Sequence, residues 1–522
     1  MNNPYANAID ASRLEKDITL EADAVIVGSG AGGGITAEIL TQAGFRVIII
    51  EEGGLAQRED FKLKEMETFQ KLYYDGGNRS TKGHEFSVAQ GRTVGGSTVV
   101  NWTTCLRTPP QTFDFWKSQL KIEGFSSEEM APFYDWAEKR LHVTDWTAHN
   151  VNNSLLATGA EKLGWSYRNI PRNVKSCFAL GFCGLGCPTD AKQSMLITTI
   201  PEALKRNATL LYRSRAVRFE WKGDRINELL CHALNPEGTA EQSVKIRIRA
   251  KLYVSSAGAI NTPALLLRSG FPDPHALTGK RTFVQMHNYS IAIMSDAIAP
   301  FTGAPQSVAS DHFLFADGVS GRAGYNIEAV GAQPVVMMNF RKIVGNDFEE
   351  YARNLSRVHI LVSQIRDGFN EQSKGGVVSL NERGQGILDY PFSDFIKDGI
   401  RRSYLSMAEC QFAAGAETVT PANNDVRPFR SWNDAKEAIT DMPIRSPNTF
   451  VNSTHPLGGC AMGVDERTSV VDTHGRHHHI ANLAVIDGSL FPTGLGVNPS
   501  LTVYAVAAKL ARFHSNELRR MI

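Results

Sequence analysis

Residues 24–27 (Ala-Val-Ile-Val) and 47–50 (Val-Ile-Ile-Ile) are unbroken apolar runs. They are short enough for strands and apolar on both faces, as the central strands of a parallel sheet are. A glycine turn and a stretch with helical spacing lie between them, so the order is strand, turn, helix, strand. Residues 113–141 place apolar side chains at helical intervals: Phe113, Phe115, Trp116 and Leu120, then Met130, Phe133, Tyr134 and Trp136. Residues 209–254 alternate instead, through Leu210, Tyr212, Val217, Phe219, Val244, Ile246 and Ile248 to a run at 252–254. With Asn235-Pro236-Glu237-Gly238 as a turn, this predicts a three-stranded antiparallel excursion. A further buried strand runs into Ser255-Ser256-Ala257-Gly258-Ala259 and a helix carrying Leu265 to Leu267. From 290 to 445 the pattern loosens. Alternating segments at 307–315, 332–340 and 358–364 predict a second sheet. Glycine becomes frequent again after 450, so the chain leaves its first fold and comes back to it.

Composition narrows the classes. A chain of 522 residues exceeds one core of usual size, which predicts two or more domains. The 42% hydrophobic and 21% charged fractions are those of a globular protein. A net charge of +1 gives no field to gather nucleic acid or an anionic membrane. No apolar run is long enough to span a bilayer. The first twenty residues carry Asp10, Glu15, Lys16 and Asp17 and no apolar core. This argues against a secretory leader of the chain's own and predicts a cytoplasmic protein; export to the periplasm alongside a partner subunit stays open.

Candidate chemistry begins at the first turn. Gly28, Gly30 and Gly33 form G-x-G-x-x-G between the two apolar runs. The first glycine permits the tight turn, the second lets a pyrophosphate approach the backbone, and the third lets helix and strand pack closely. Glu51 ends the second run, 18 positions after Gly33, where a ribose-binding acid belongs; Glu52 is beside it. The order predicts a grip on a dinucleotide, with the helix N-terminus facing the phosphates. Gly91-Arg92-Thr93-Val94-Gly95-Gly96-Ser97-Thr98 is a second glycine-rich stretch, suited to backbone lying flat against a ligand. Later come Thr454-His455-Pro456-Leu457-Gly458-Gly459-Cys460, Val485-Ile486-Asp487-Gly488-Ser489 and Pro492-Thr493-Gly494-Leu495-Gly496-Val497-Asn498-Pro499.

These motifs, in this order, resemble the glucose–methanol–choline (GMC) family of FAD-dependent oxidoreductases, over roughly residues 20–110, 177–290 and 448–515. The resemblance implies an α/β fold: a Rossmann-like parallel-sheet domain for FAD and an antiparallel-sheet substrate domain. The FAD part is expected at 20–125, 177–290 and 448–522, and the substrate part at 126–176 and 291–447. Gly28, Gly30, Gly33 and Glu51 would hold the ADP half. Arg92, Gly95, Gly96, Ser97 and Asn101 would lie along flavin and pyrophosphate. Val217 would meet adenine by its backbone, and Asp487 and Gly488 the ribityl and pyrophosphate region. Asn498 and Pro499 would reach the pyrimidine edge of the ring system.

The resemblance also supplies a catalytic pair, His455 and Asn498. Oxidising an alcohol requires loss of the hydroxyl proton while hydride leaves carbon for flavin N5. A neutral imidazole accepts that proton, and a second polar group holds the oxygen. A His-Asn pair resembles the branch of the family that includes cholesterol oxidases. The substrate expected is a small-molecule alcohol, bulky or aliphatic, with oxygen or an electron carrier as acceptor. Trp102 and Phe491 are candidates for its cavity wall or for core. His287 reads as structural, and His477-His478-His479 as a solvated turn.

Seven cysteines are present. Cys105, Cys231, Cys410 and Cys460 are scattered and read as buried thiols. Cys177, Cys183 and Cys187 cluster and end in Pro188. They resemble the three-cysteine segment of bacterial FAD-dependent glucose dehydrogenases, which carries a 3Fe-4S cluster; structural thiols and a disulfide are the other readings. With a cluster, a sugar or polyol dehydrogenase feeding a cytochrome-type electron-transfer subunit becomes the rival function. Lys192-Gln193-Ser194 resembles the alcohol-oxidising branch, or is a solvated helix start. A flavin lyase or decarboxylase and an electron-relay subunit are further rivals.

Overall fold

The computed structural model describes residues 4–331, 333–339 and 346–521. Ala24–Val27 and Val47–Glu51 are buried throughout and pair in parallel, Ala24 opposite Val47 and Val27 opposite Ile50. They are the middle of a six-stranded, all-parallel sheet. Its order is Ile9–Asp10, Thr209–Tyr212, Val47–Glu51, Ala24–Val27, Leu252–Ser255 and Leu483–Val485. Strands from distant stretches of chain meet here; Val47–Glu51, Ala24–Val27 and Leu252–Ser255 are buried on both faces, which only the sheet interior allows. Helices Ala31–Gln42 and Ser500–Met521 pack together against it. The alternating region forms a second, four-stranded sheet. Ser214–Lys222, Arg225–Leu234 and Glu241–Arg249 run antiparallel, with Ile18–Glu21 added in parallel at the edge.

The third sheet is larger. Along its main path lie Ser87–Val88, Val451–Ser453, His287–Met294, Val358–Ile365, Tyr325–Ala329, Val308–Ser310 and Arg168–Asn169; Ala416–Pro421 pairs with His287–Met294 off that path. Period-2 alternation gives it two faces. Ala292, Met294, Ile327, Ala329, Leu361 and Ile365 pack with Leu156, Ile400, Tyr404 and Met407 of helices Val151–Leu163 and Asp394–Ala413. His287, Tyr289, Glu328, Val362 and Gln364 stand on the opposite face.

Residues 113–141 form two helices, Pro110–Leu120 and Ser127–Arg140. The second is started by a capping box between Ser126 and Glu129. The segment 332–340 departs from the expected strand: residues 332 and 340 lie outside the described residues, and Pro334–Asn339 is a short helix. Proline suits a first helical position, and a distant carboxylate completes the start. Glu65 accepts from Val335 N–H (2.9 Å) and Val336 N–H (3.0 Å). Among the described residues no helix is long and apolar enough to cross a membrane.

Candidate active site

A cavity of roughly 2650 Å³ runs from the glycine turns of the parallel sheet to the free face of the large antiparallel sheet. A single small-molecule site is usually about 300–1,000 Å³, so this one has room for a cofactor and a substrate together. Gly28, Gly30, Glu51, Arg92, Gly96, Ser97, Asn101, Val217, Asp487, Gly488, His455, Asn498 and Pro499 all line it. Gly33 and Gly95 do not; they act behind the wall.

Two turns build the narrow end. Gly28 takes φ +98°, and a Cβ there would sit 2.3 Å from the Ser256 carbonyl oxygen. Gly96 has φ +55°, and its Cβ would come within 2.8 Å of the Gly30 Cα. The two glycine segments therefore touch backbone to backbone. Glu51 locks them together: its carboxylate accepts from Ser29 N–H (3.1 Å), Ser29 O–H (2.5 Å) and Gly53 N–H (2.8 Å). Ser29 Oγ in turn accepts from Gly95 N–H at 2.9 Å. Burial pushes the Glu51 carboxyl up, and those hydrogen bonds pull it back.

Arg92 lines the cavity with its guanidinium engaged by protein groups. Its guanidinium donates to Glu52 (3.0 Å) and to the Gly238 carbonyl (2.6 Å), and Arg215 binds the same Glu52 oxygen at 2.9 Å. These charges hold it on the Val217 side of the cleft. Val217 itself drops out of the pairing register at a bulge between Ala216 and Arg218, and its carbonyl accepts from Arg268 at 2.7 Å. Asp487 lines the cavity too. Its carboxylate is consumed by Ser489 N–H and O–H (2.7 and 2.5 Å), Gly258 N–H (2.8 Å) and Thr262 O–H (2.6 Å). It fixes the start of helix Gly258–Ser269, leaving only its edge to the cavity. Ser97 Oγ accepts from Gly91 N–H at 2.9 Å.

At the wide end His455 is half-buried, on the turn after strand Val451–Ser453. Its N–H donates to Ser453 Oγ at 3.2 Å. Its Nδ1 lies 3.3 Å from His287 Nε2, with the rings at 78°. Burial holds both imidazoles in the neutral form: His287 is pulled down to about 3, and His455 well below its ordinary value by burial first and by His287 second. His287 therefore partners His455 at the cavity wall. Asn498 is buried, and its Nδ2 reaches Glu328 Oε2 at 3.4 Å. Trp102, Tyr289, Val330, Val336, Met338, Val362 and Phe450 line the same space and make it apolar. Phe491 is core, stacked on Trp116.

The clustered cysteines are not gathered into a metal site. All seven cysteines are free, and among the described residues no group of three or more His, Cys, Asp or Glu is placed to hold a metal ion. This geometry gives no support to the cluster expectation for Cys177, Cys183 and Cys187, and the free thiols match the structural-thiol reading. Local polar contacts claim each sulfur: Cys177 takes Ala179 N–H, Cys183 takes Arg172 Nη2 and Cys187 takes Lys192 N–H, each at 3.4 Å. Lys192 is no solvated helix start. It is buried, and its ammonium donates to the carbonyls of Val99 (2.7 Å), Asn101 (2.7 Å) and Cys183 (2.5 Å). It ties the cysteine loop to the cavity wall at Asn101. Sequence reasoning missed Glu328, Gln306 and Gln364 beside Asn498, because lone polar residues inside alternating strands carry no motif.

Solved structures share the fold. The fold is shared with pyridoxine 4-oxidase from Mesorbium loti (19% identity, TM-score 0.69, 95% of this chain and 99% of that one). It is shared too with a variant of Aspergillus oryzae formate oxidase made to study FAD modification (15% identity, TM-score 0.70, 96% and 99%). Among sequences, an uncharacterized GMC-type oxidoreductase of Sinorhizobium fredii is 28% identical over 95% of each chain. A long-chain-alcohol oxidase of Arabidopsis thaliana is 27% identical over 96% of this chain and 68% of its own length. The GMC oxidoreductase family models match residues 69–287 and 373–507. The chain belongs to the GMC oxidoreductases.

Proposed function

We propose that this protein oxidises a bulky or aliphatic alcohol to an aldehyde or ketone, with FAD held in the cleft. The observation that carries the reading is the contact of His455 with His287, together with Asn498, on the wall of one apolar chamber continuous with the double glycine turn. The cradle fits the cofactor: Gly30 and Gly96 leave no Cβ where a pyrophosphate must approach, and the Glu51 carboxylate lines the cavity beside them. Residues 20–125, 177–290 and 448–522 would form the cofactor part, with Asn498 and Pro499 beside the ring system. FAD, when bound, supplies the acceptor for hydride.

The residues do the proton work. His287 is neutral and has one N–H. When His455 carries its hydrogen on Nδ1 and shares it with His287 Nε2, its own Nε2 lone pair is left for the substrate hydroxyl. Taking that proton makes an imidazolium whose Nδ1–H still has an acceptor. Asn498 orients the substrate oxygen. The apolar lining and the likeness to a long-chain-alcohol oxidase support an aliphatic substrate over a sugar.

The test is anaerobic mixing of purified protein with an alcohol panel while flavin absorbance is recorded. Aliphatic alcohols should bleach it. Replacing His455 with Ala should slow bleaching about 10²–10⁴-fold, and His287→Ala should slow it while keeping flavin bound. Full bleaching rates in His455→Ala would sink the assignment. Oxygen uptake on readmitting air identifies the acceptor.

A further inference from the structure

Behind Asn498 lies a carboxyl group with no route to water. Glu328 is fully buried on strand Tyr325–Ala329, opposite Val362 in the register and diagonal to Gln364. Its Oε2 receives three amide nitrogens: Gln306 Nε2 at 2.5 Å, Gln364 Nε2 at 3.0 Å and Asn498 Nδ2 at 3.4 Å. Asn326 Nδ2 reaches Oε1 at 3.5 Å. The nearby charges are Asp311 and Arg168, which bridge each other at 2.6 Å. From Val358–Ile365 the uncharged Val362 and Gln364 face it, and beyond them on that face lie two titratable groups, Tyr289 across from Val362 and His287 across from Gln364.

Two features of this arrangement are costly. A carboxylate is buried without a contacting cation, and Asn498 Oδ1 is a buried acceptor with no hydrogen-bond partner. One proton and one amide turn remove both. A carboxylic acid donates, and an amide rotated by half a turn presents its oxygen to that donor. We infer that Glu328 is a positioning residue that acts as a neutral acid, donating its O–H to Asn498 Oδ1 and so turning the Asn498 N–H groups toward the substrate oxygen. A donor at that point stabilises the negative charge that grows as His455 removes the proton; an amide oxygen there would oppose it. Burial supports the neutral state, pushing Glu328 up to about 8. Ionisation reverses the amide: the carboxylate recruits the N–H, and the substrate loses its donor.

The inference rests on the proposed alcohol oxidation for its kinetic half only. In the holoenzyme, the rate of flavin reduction should fall about tenfold per pH unit above the ionisation of Glu328. That alkaline limb should vanish in Glu328→Gln, whatever the variant's absolute rate, because its amide donates at every pH. Glu328→Leu should be slow throughout. Infrared difference spectra of wild type against Glu328→Gln give a readout free of turnover: a protonated carboxyl band at neutral pH, absent from the variant and lost at high pH. The same alkaline limb in wild type and Glu328→Gln, or no protonated carboxyl at neutral pH, would overturn the inference. If no alcohol bleaches the flavin while the band is present, the substrate reading fails and the buried acid stands.

Discussion

His359 stands in strand Val358–Ile365, fully buried, on the face packed by helix Asp394–Ala413. Burial pulls it down to about 3, against about 6.5 in an unfolded chain. Between these values the unfolded chain binds a proton that the folded chain refuses. The contribution of His359 to stability is thus intact above pH 6.5 and declines as pH falls toward 3, by about 1.4 kcal/mol per unit. Urea unfolding at pH 7.5 and at pH 5 should show wild type losing about 2 kcal/mol more than His359→Leu. Equal losses would mean the imidazole is charged in the native core. The same burial keeps His455 and His287 neutral, so the acid limb of flavin reduction should lie below the usual histidine range.

At the scale of elements, the short helix Pro334–Asn339 forms part of the chamber wall and has too few residues to be stable alone. Its start depends on Glu65, far away in sequence at the beginning of helix Glu65–Leu72. Glu65→Ala should cost the local structure about 0.5–2 kcal/mol, as loss of a cap does. Amide hydrogen exchange at Val335 and Val336 should accelerate about 2- to 30-fold, and KM for a long alcohol should rise with kcat little changed. Unchanged exchange would show that the Glu65 carboxylate contributes nothing to the helix.

Over the whole molecule, the cavity is bounded on one side by glycine turns of the parallel sheet and on the other by the face bearing His287 and Tyr289. A cofactor filling it contacts both. Binding of FAD only to the folded state should therefore stabilise the entire chain, by about 2.7 kcal/mol at a hundredfold excess over Kd. The melting temperature of flavin-stripped protein should climb with added FAD. Gly96→Ala should abolish that climb, because its Cβ would meet the Gly30 Cα at 2.8 Å and separate the two turns. A melting curve indifferent to FAD would count against the cradle.

Local sequence specified the doubly apolar strands, the glycine turns and the placement of His455 and Asn498 on loops, since each depends on backbone conformation and side-chain type within a few residues. It also specified the antiparallel excursion at 214–249, where alternation is regular. Tertiary structure alone decided what those groups contact. Arg92 turned to Glu52 and Asp487 to Gly258, because buried charges and orphan N–H groups settle on whichever partner the fold brings near. Pro334–Asn339 became a helix through a cap some 270 residues away. The pairing of His287 with His455 and of Glu328 with Asn498 arises only when strands distant in the chain come into register, and sheet pairing is a property of space that no single stretch of sequence contains.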